Sequence, residues 1–253
     1  MKKAIGLLLA VLLTVSLFGC NSKKTLNSTT ETPDTHSTDK IQEENSPAPE
    51  KQSLKNATEL FDEGKTEEAF EMVKQLRQSK EVIELKEKCK KILLEPYKEM
   101  LDEKYDDMDE KYTIRVPFDA AKDLSDEFYN TSWVRFSKND SSSASFVLNI
   151  GTFTDISNSF IWLDKIKLKG GEISLDLEVD FNGRDSEVLS GLIQEGGRVL
   201  LNSSQLETLQ SILATGSVNI RFSGSNSYLD RTLSVRTINN LKLLIEYYMI
   251  ISA

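Results

Sequence analysis

The sequence predicts an α+β protein: a short helical region, then a mostly antiparallel β-sheet or sandwich domain with one or two covering helices. Three observations predict it. Apolar residues recur at three- and four-residue spacing up to about residue 100. From residue 112 onward they alternate, or cluster in β-branched and aromatic runs. Two further helical patterns, over 203–213 and from Ser234, fall late among those strands.

The first two helices follow from their stripes. Ala57, Leu60 and Phe61 share one face, and Gly64 breaks the run. Thr66 is placed to cap a second helix, with Ala69, Phe70, Val73 and Leu76 as its apolar side. A third helix covers 80–100, with Val82, Leu85, Cys89, Ile92 and Leu93 as its stripe, and Pro96 should end or kink it. Cys89 lies on that stripe, so a buried free thiol is expected. Residues 102–110 hold six acids, which raises calcium. Counted from Asp107, an EF-hand loop would meet Lys111 at a ligand position, Tyr112 where glycine is needed and Phe118 where glutamate is needed. The expected reading is a solvated segment between two domains, 53–104 and 105–253.

The strands are read next. Residues 133–136 and 145–153 are β-branched and aromatic runs, and 160–168 alternates in part. Residues 172–181 alternate strictly, placing Ile173, Leu175, Leu177, Val179 and Phe181 on the core face and Asp176, Glu178 and Asp180 in solvent. Gly170-Gly171 and Asn182-Gly183 read as turns. Phe160 and Trp162 fall on one face of their strand, an aromatic pair expected in the core, although with Trp133 it also suggests a platform for sugar rings. A short strand over 218–222 precedes the last helix, which Ser234 caps and whose buried face is Val235, Ile238, Leu241, Leu244, Ile245 and Tyr248.

The N-terminus reads as an address. Lys2 and Lys3 precede an apolar run of 15 residues ending at Phe18, shorter than a spanning helix. It closes with Leu17-Phe18-Gly19-Cys20, which resembles the lipobox of bacterial lipoproteins; Phe18 departs from the small residue usual at its position. The resemblance implies that Cys20 is lipidated and attaches the chain to the extracytoplasmic face of a cell membrane. Dual acylation gives stable anchoring where one chain is marginal. Residues 21–52 contain few large apolar residues and no aromatics, so a disordered tether is expected. As a coil its average reach is about 30 Å.

Composition excludes much chemistry. His36, in the tether, is the one histidine, so neither a Ser-His-Asp nor a Cys-His nucleophile has a base. The glycines form no phosphate-binding loop, and no cofactor or metal is expected. A net charge of −9, of which −7 lies in 105–253, argues against nucleic acid as a partner. Asp230-Arg231, with Arg221 nearby, are the candidate ligand-binding residues. The competing reading is a polar network at a strand-to-helix corner.

Two further resemblances concern the folded body. Ala57-x-x-Leu60-x-x-x-Gly64-Lys65-x-x-Glu68-Ala69 is similar to one tetratricopeptide hairpin. A single repeat builds no groove. Residues 218–224, then Tyr228-x-Asp230-Arg231-Thr232-Leu233-Ser234, then Leu241 and Tyr247-Tyr248, resemble a C-terminal module of uncharacterised bacterial and phage proteins, many of them lipoproteins. It implies a β-rich surface domain and no activity. The functional expectation is therefore a lipid-anchored, non-catalytic binding module with an envelope protein or wall polymer as partner. The alternative is an envelope enzyme using paired carboxylates, such as a wall-glycan hydrolase.

Overall fold

Small residues set how closely the first two helices approach. In the computed structural model, which describes residues 48–253, α1 (Ala48–Asp62) and α2 (Thr66–Val73) meet through Ala57 and Ala69, both fully buried. Gly64, at φ +79°, turns the chain between them. The proposed signal sequence, Cys20, His36 and the rest of the stretch before residue 48 lie outside the described residues. Helix α1 begins at Ala48, inside the segment expected to be tether. Thr66 is the first residue of α2 and not its cap; Lys65 precedes it without a side-chain cap. Ser79 caps α3 (Lys80–Leu94), its Oγ accepting the Val82 N–H at 3.3 Å. Pro96 then lies in a 3₁₀ turn, Glu95–Glu99, so the third helix ends where proline removes its donor. The three helices close a small core of Ala57, Ala69, Phe70, Val73, Val82, Leu85 and Cys89. Ile92, expected on that stripe, is half exposed.

The acid-rich segment is not a linker. Asp102–Asp106 forms β1 and pairs antiparallel with β2 (Lys111–Arg115), so the boundary placed at 104/105 falls inside a strand. Every residue of β1 is exposed, as suits a charged edge strand that discourages further pairing. The Asp106 carboxylate shapes the turn by accepting the Met108 and Asp109 N–H groups. Beyond a short α4 (Ala120–Ser125) come β3 (Phe128–Asn130), β4 (Trp133–Ser137) and the long β5 (Asp140–Asp155). With β8 (Arg184–Leu189) and β9 (Leu192–Leu201) they make a seven-stranded sheet ordered β1-β2-β4-β5-β9-β8, with β3 also on β5. The second sheet is four-stranded, ordered β11-β10-β6-β7, from β6 (Leu163–Gly170), β7 (Ile173–Glu178), β10 (Asn219–Gly224) and β11 (Tyr228–Thr232). All pairs are antiparallel.

One core joins the layers. Phe146, Leu148 and Ile150 of β5, Ile166 and Leu168 of β6, Leu177 of β7 and Phe222 of β10 are almost fully buried in it. Helices α5 (Ser203–Ala214) and α6 (Val235–Ile251) complete it with Leu209, Ile212, Leu213, Leu241 and Leu244. Ser234 caps α6 as expected, accepting the Thr237 N–H. The alternation of 172–181 holds at its centre only: Leu175, Leu177 and Val179 are buried, whereas Ile173 and Phe181 are exposed. Phe181 has left the sheet for a 3₁₀ turn.

The helical hairpin packs against the rest of the fold. The described residues cluster as one compact unit. Ile250 and Ala253 pack on the small helical core, so α6 serves both clusters. Lys90 of α3, 4% exposed, donates to the Ile251 carbonyl at 3.1 Å, and its ammonium also pairs with Glu87. At the other end of α6, Arg236 bonds Asp123 and, at 3.1 Å, Asp126. Burial pushes the Asp123 carboxyl above its ordinary range, against the pull of that guanidinium.

Cys89 is fully buried and its thiol is pushed up by desolvation, which suppresses the reactive thiolate. In a Cys20→Ala chain, iodoacetamide is expected to label Cys89 only in denaturant. Fast stoichiometric labelling of the native protein, read by intact mass, would contradict the buried position.

Candidate functional site

A buried carboxylate has an uncommon task here. Glu195 lies in the middle of β9, opposite Thr152 of β5, and is 2% exposed. Among the described residues its hydrogen-bond partners are backbone N–H groups and no Lys or Arg pairs with it. Its Oε2 accepts the Ile161 N–H at 2.7 Å and its Oε1 accepts the Trp162 N–H at 2.8 Å. Charge-assisted bonds of this kind are stronger than neutral ones. They tie the large sheet to the segment that leads into β6 of the small sheet.

That segment is held from other sides as well. The Asn226 side chain donates to the Phe160 carbonyl at 3.3 Å, and its N–H reaches the Ile161 carbonyl at 3.4 Å. Gly224 lies so close to the carbonyls of Ile161 and Trp162 that a Cβ there would overlap both. Ile161 is buried and acts as the anchor.

The residue so gripped is strained. Trp162 has φ +59°, the left-handed region that a bulky L-residue avoids at a cost of about 1–3 kcal/mol. Its side chain does not repay this by burial, being 52% exposed. The indole stacks on the half-buried Phe160 ring, with centroids 5.1 Å apart and planes 27° apart. The expectation that Phe160 and Trp162 sit in the core is therefore corrected. The segment stops being a strand before Leu163, so alternation does not govern it. Trp133, the other tryptophan, is half-buried on β4.

Arg221, Asp230 and Arg231 lie elsewhere, on the small sheet. Asp230 and Arg231 belong to the edge strand β11 and not to a strand-to-helix corner. Arg221 of β10 is directly opposite Asp230, and the pair is bidentate: Nε to Oδ1 at 2.6 Å and Nη2 to Oδ2 at 2.7 Å. The Tyr228 ring lies 4.4 Å from the guanidinium carbon. Arg221 holds the Asp230 carboxyl below its usual range. Alternation sends Arg231 to the other face, where it pairs with Glu127 at 3.0 Å. The two arginine side chains thus pair on opposite faces of the strand, although Arg221, Asp230 and Arg231 all border one cavity. A broad cavity of about 660 Å³ lies over this strand region, lined by Lys167, Lys169, Asn219, Arg221, Asp230 and Thr232 among others. Register explains its chemistry: Asp176, Lys167, Arg221 and Asp230 form one row across four strands, two adjacent cations flanked by two carboxylates. Such a row is largely self-satisfied, with Lys167 on Asp176 at 3.2 Å.

A second cavity, about 440 Å³, opens between the end of α3, the β1–β2 hairpin and α6, with Leu94, Leu101, Ile114, Tyr97 and Tyr247 in its walls. The tyrosines meet edge to face at 5.9 Å, and Tyr97 donates to Glu246 at 3.3 Å. Burial, reinforced by Glu246, pushes the Tyr97 phenol up to about 12. Burial also raises Tyr129 and Tyr247. Among the described residues no group of three or more His, Cys, Asp or Glu is arranged to hold a metal ion, and no helix is long and apolar enough to cross a membrane.

Sequence reasoning named Trp162 but not what holds it. The one signal for Glu195 is a glutamate set beside Gly196-Gly197 between the apolar ends of the strand Leu192–Leu201. No protein-family model matches this chain, and no curated protein or solved structure shows significant similarity to it. The resemblances to lipoproteins, to a tetratricopeptide hairpin and to the phage and bacterial module therefore rest on the residues quoted for them.

Two stability measurements check the site. Glu195→Gln keeps the shape but turns an amide N–H toward a backbone N–H, so it is expected to cost about 2 kcal/mol in urea unfolding. Trp162→Asn, which accepts the left-handed backbone, is expected to stay within about 1 kcal/mol of the parent. A reversed order of the two would show that the tryptophan, and not its cradle, supports the fold.

The tyrosines give a pH test. Below pH 10, the ordinary phenol value, folded and unfolded chains both keep these protons. Above it the unfolded chain ionises first, so stability falls as pH rises through about 12. Ultraviolet titration should show delayed phenolate formation that coincides with loss of ellipticity. Complete ionisation of all seven tyrosines in a still-folded chain would refute the burial.

Proposed function

We propose that this protein is a lipid-anchored, non-catalytic binding module of the bacterial cell envelope, attached to a membrane through Cys20. The observation that carries the binding role is Trp162. A folded chain holds a large apolar ring half in water, in a strained backbone, with a buried carboxylate assigned to that one segment. Strain of this kind is retained where a surface must be pre-shaped, and a rigid aromatic is an efficient contact residue because it loses little entropy on binding. The Leu17-Phe18-Gly19-Cys20 motif and the polar stretch after it support the anchor. The acidic body supports a partner other than nucleic acid.

No observation favours the alternative, a glycan hydrolase. It requires two carboxylates facing each other across a cleft. Asp230, the carboxylate lining the larger cavity, is already bound at both oxygens by Arg221.

The test is photo-cross-linking of the full chain in its native cells, with the probe at Asn158, an exposed position four residues before Trp162. The parent is expected to sediment with membranes and to form discrete envelope adducts. Cys20→Ala should leave the membrane fraction. Trp162→Ala should stay in it, fold normally and lose the adducts. Adducts unchanged by Trp162→Ala would overturn the reading.

A further inference from the structure

The stacked Phe160–Trp162 pair forms an aromatic ledge that also indicates what kind of ligand it suits, an inference that rests on the binding role just proposed. Three features narrow the class. The first is the ring pair itself. Phe160 covers one side of the indole, and the stack leaves a flat, half-exposed aromatic surface. Such a surface accepts a ligand with a flat apolar side, such as the C–H face of a pyranose, another ring or a cation.

The second feature is the chemistry of the two segments that carry and brace the ledge, 155–162 and 224–228. Besides aromatic and aliphatic residues and Gly224, they contain Asp155, Ser157, Asn158, Ser159, Ser225, Asn226 and Ser227. All seven are exposed. Six are neutral hydroxyls and amides, able both to donate and to accept. The single charge, Asp155, already accepts the Ser157 N–H at 2.8 Å. A cationic ligand would call for free carboxylates beside the ring, and a phosphorylated one for Lys or Arg. A neutral polyhydroxylated ligand calls for what is present.

The third feature is rigidity. The cradle of Glu195, Asn226 and Gly224 fixes the backbone that carries the indole, and the Phe160 ring supports the indole itself, which lowers the ordering cost of a weak, shallow site. Flat stacking with a rim of neutral hydrogen-bonding groups matches a sugar ring better than a protein surface, which would need a larger apolar area.

We propose that the Phe160–Trp162 ledge binds the pyranose ring of a neutral glycan chain, with Trp162 stacking on its C–H face and Asn158, Ser159 and Asn226 available to its hydroxyl or acetamido groups. No bond is made or broken, and the binding is reversible.

The test uses the full chain in detergent and two probes, a linear hexamer of N-acetylglucosamine and a linear hexamer of glucose, read by tryptophan fluorescence and calorimetry. At least one hexamer is expected to bind saturably. A preference for the acetamido probe indicates a wall-type glycan, and a preference for the glucose probe a secreted polysaccharide. Trp133→Phe should keep the signal. Trp162→Ala should weaken binding by about tenfold or more, and Trp162→Tyr, which restores a ring, should recover most of it. Circular dichroism checks that each variant is folded. Saturable binding that survives Trp162→Ala, or no binding of either hexamer at millimolar concentration, overturns the inference. If the hexamers fail while Trp162-dependent adducts persist in cells, the sugar assignment falls and the binding module stands. If both fail, both readings fall.

Discussion

The contact on which the two sheets depend is the one between the Glu195 carboxylate and the backbone of Ile161 and Trp162. A carboxyl group in a protein interior is tolerated only when its oxygens are hydrogen-bonded. Here the donors are two successive N–H groups that no strand partner claims. Each side solves the other's problem: the carboxylate is solvated by peptide dipoles, and the orphaned donors of a segment outside the ladder are satisfied. The carboxylate sits on the large sheet and the donors lead into the small one. The same two bonds hold the backbone from which the exposed indole projects.

The other polar contacts across the molecule are of a different kind. Arg221–Asp230 and Lys167–Asp176 lie in water on the outer face of the small sheet, where such pairs contribute little. The Lys90 and Arg236 contacts are more enclosed and hold the two ends of α6. The protein therefore places its costly electrostatics at joints between elements and its inexpensive electrostatics on open faces.

How much of this the sequence reveals depends on whether a signal is local. The α+β class, the caps at Ser234 and the break at Pro96 are local, and each is found where the residues place it. The closeness of α1 and α2 is legible in two alanines. The β1–β2 hairpin is not, because six acids in nine residues look like solvent-exposed coil; an edge strand is the one place where that composition can pair. The strand β11 is hidden for a similar reason. Read along the chain, Asp230 and Arg231 look like one clamp, yet period-two alternation separates them: Asp230 pairs with Arg221 across its own hairpin, and Arg231 with Glu127, remote in sequence. Trp162 is misread because apolar alternation over 160–168 holds only from Ile166; the segment before β6 is held instead by a glutamate 33 residues after Trp162. A pattern within a strand cannot report a constraint imposed by another strand.

The Lys90 contact has a consequence for the order in which the chain acquires structure. Its partner, the Ile251 carbonyl, lies 161 positions further along, and Ile250 and Ala253 seal the same small core. A chain emerges from its N-terminal side, so the three helices of 48–94 are made long before the segment that closes over them. Until then Lys90 lacks its buried acceptor and the core around Cys89 lacks part of its cover. Loop closure across so many residues is slow relative to forming the helices themselves. The first part of the fold to be synthesised is therefore among the last to be finished, and throughout that interval the hairpin presents an apolar face to whatever accompanies the nascent chain.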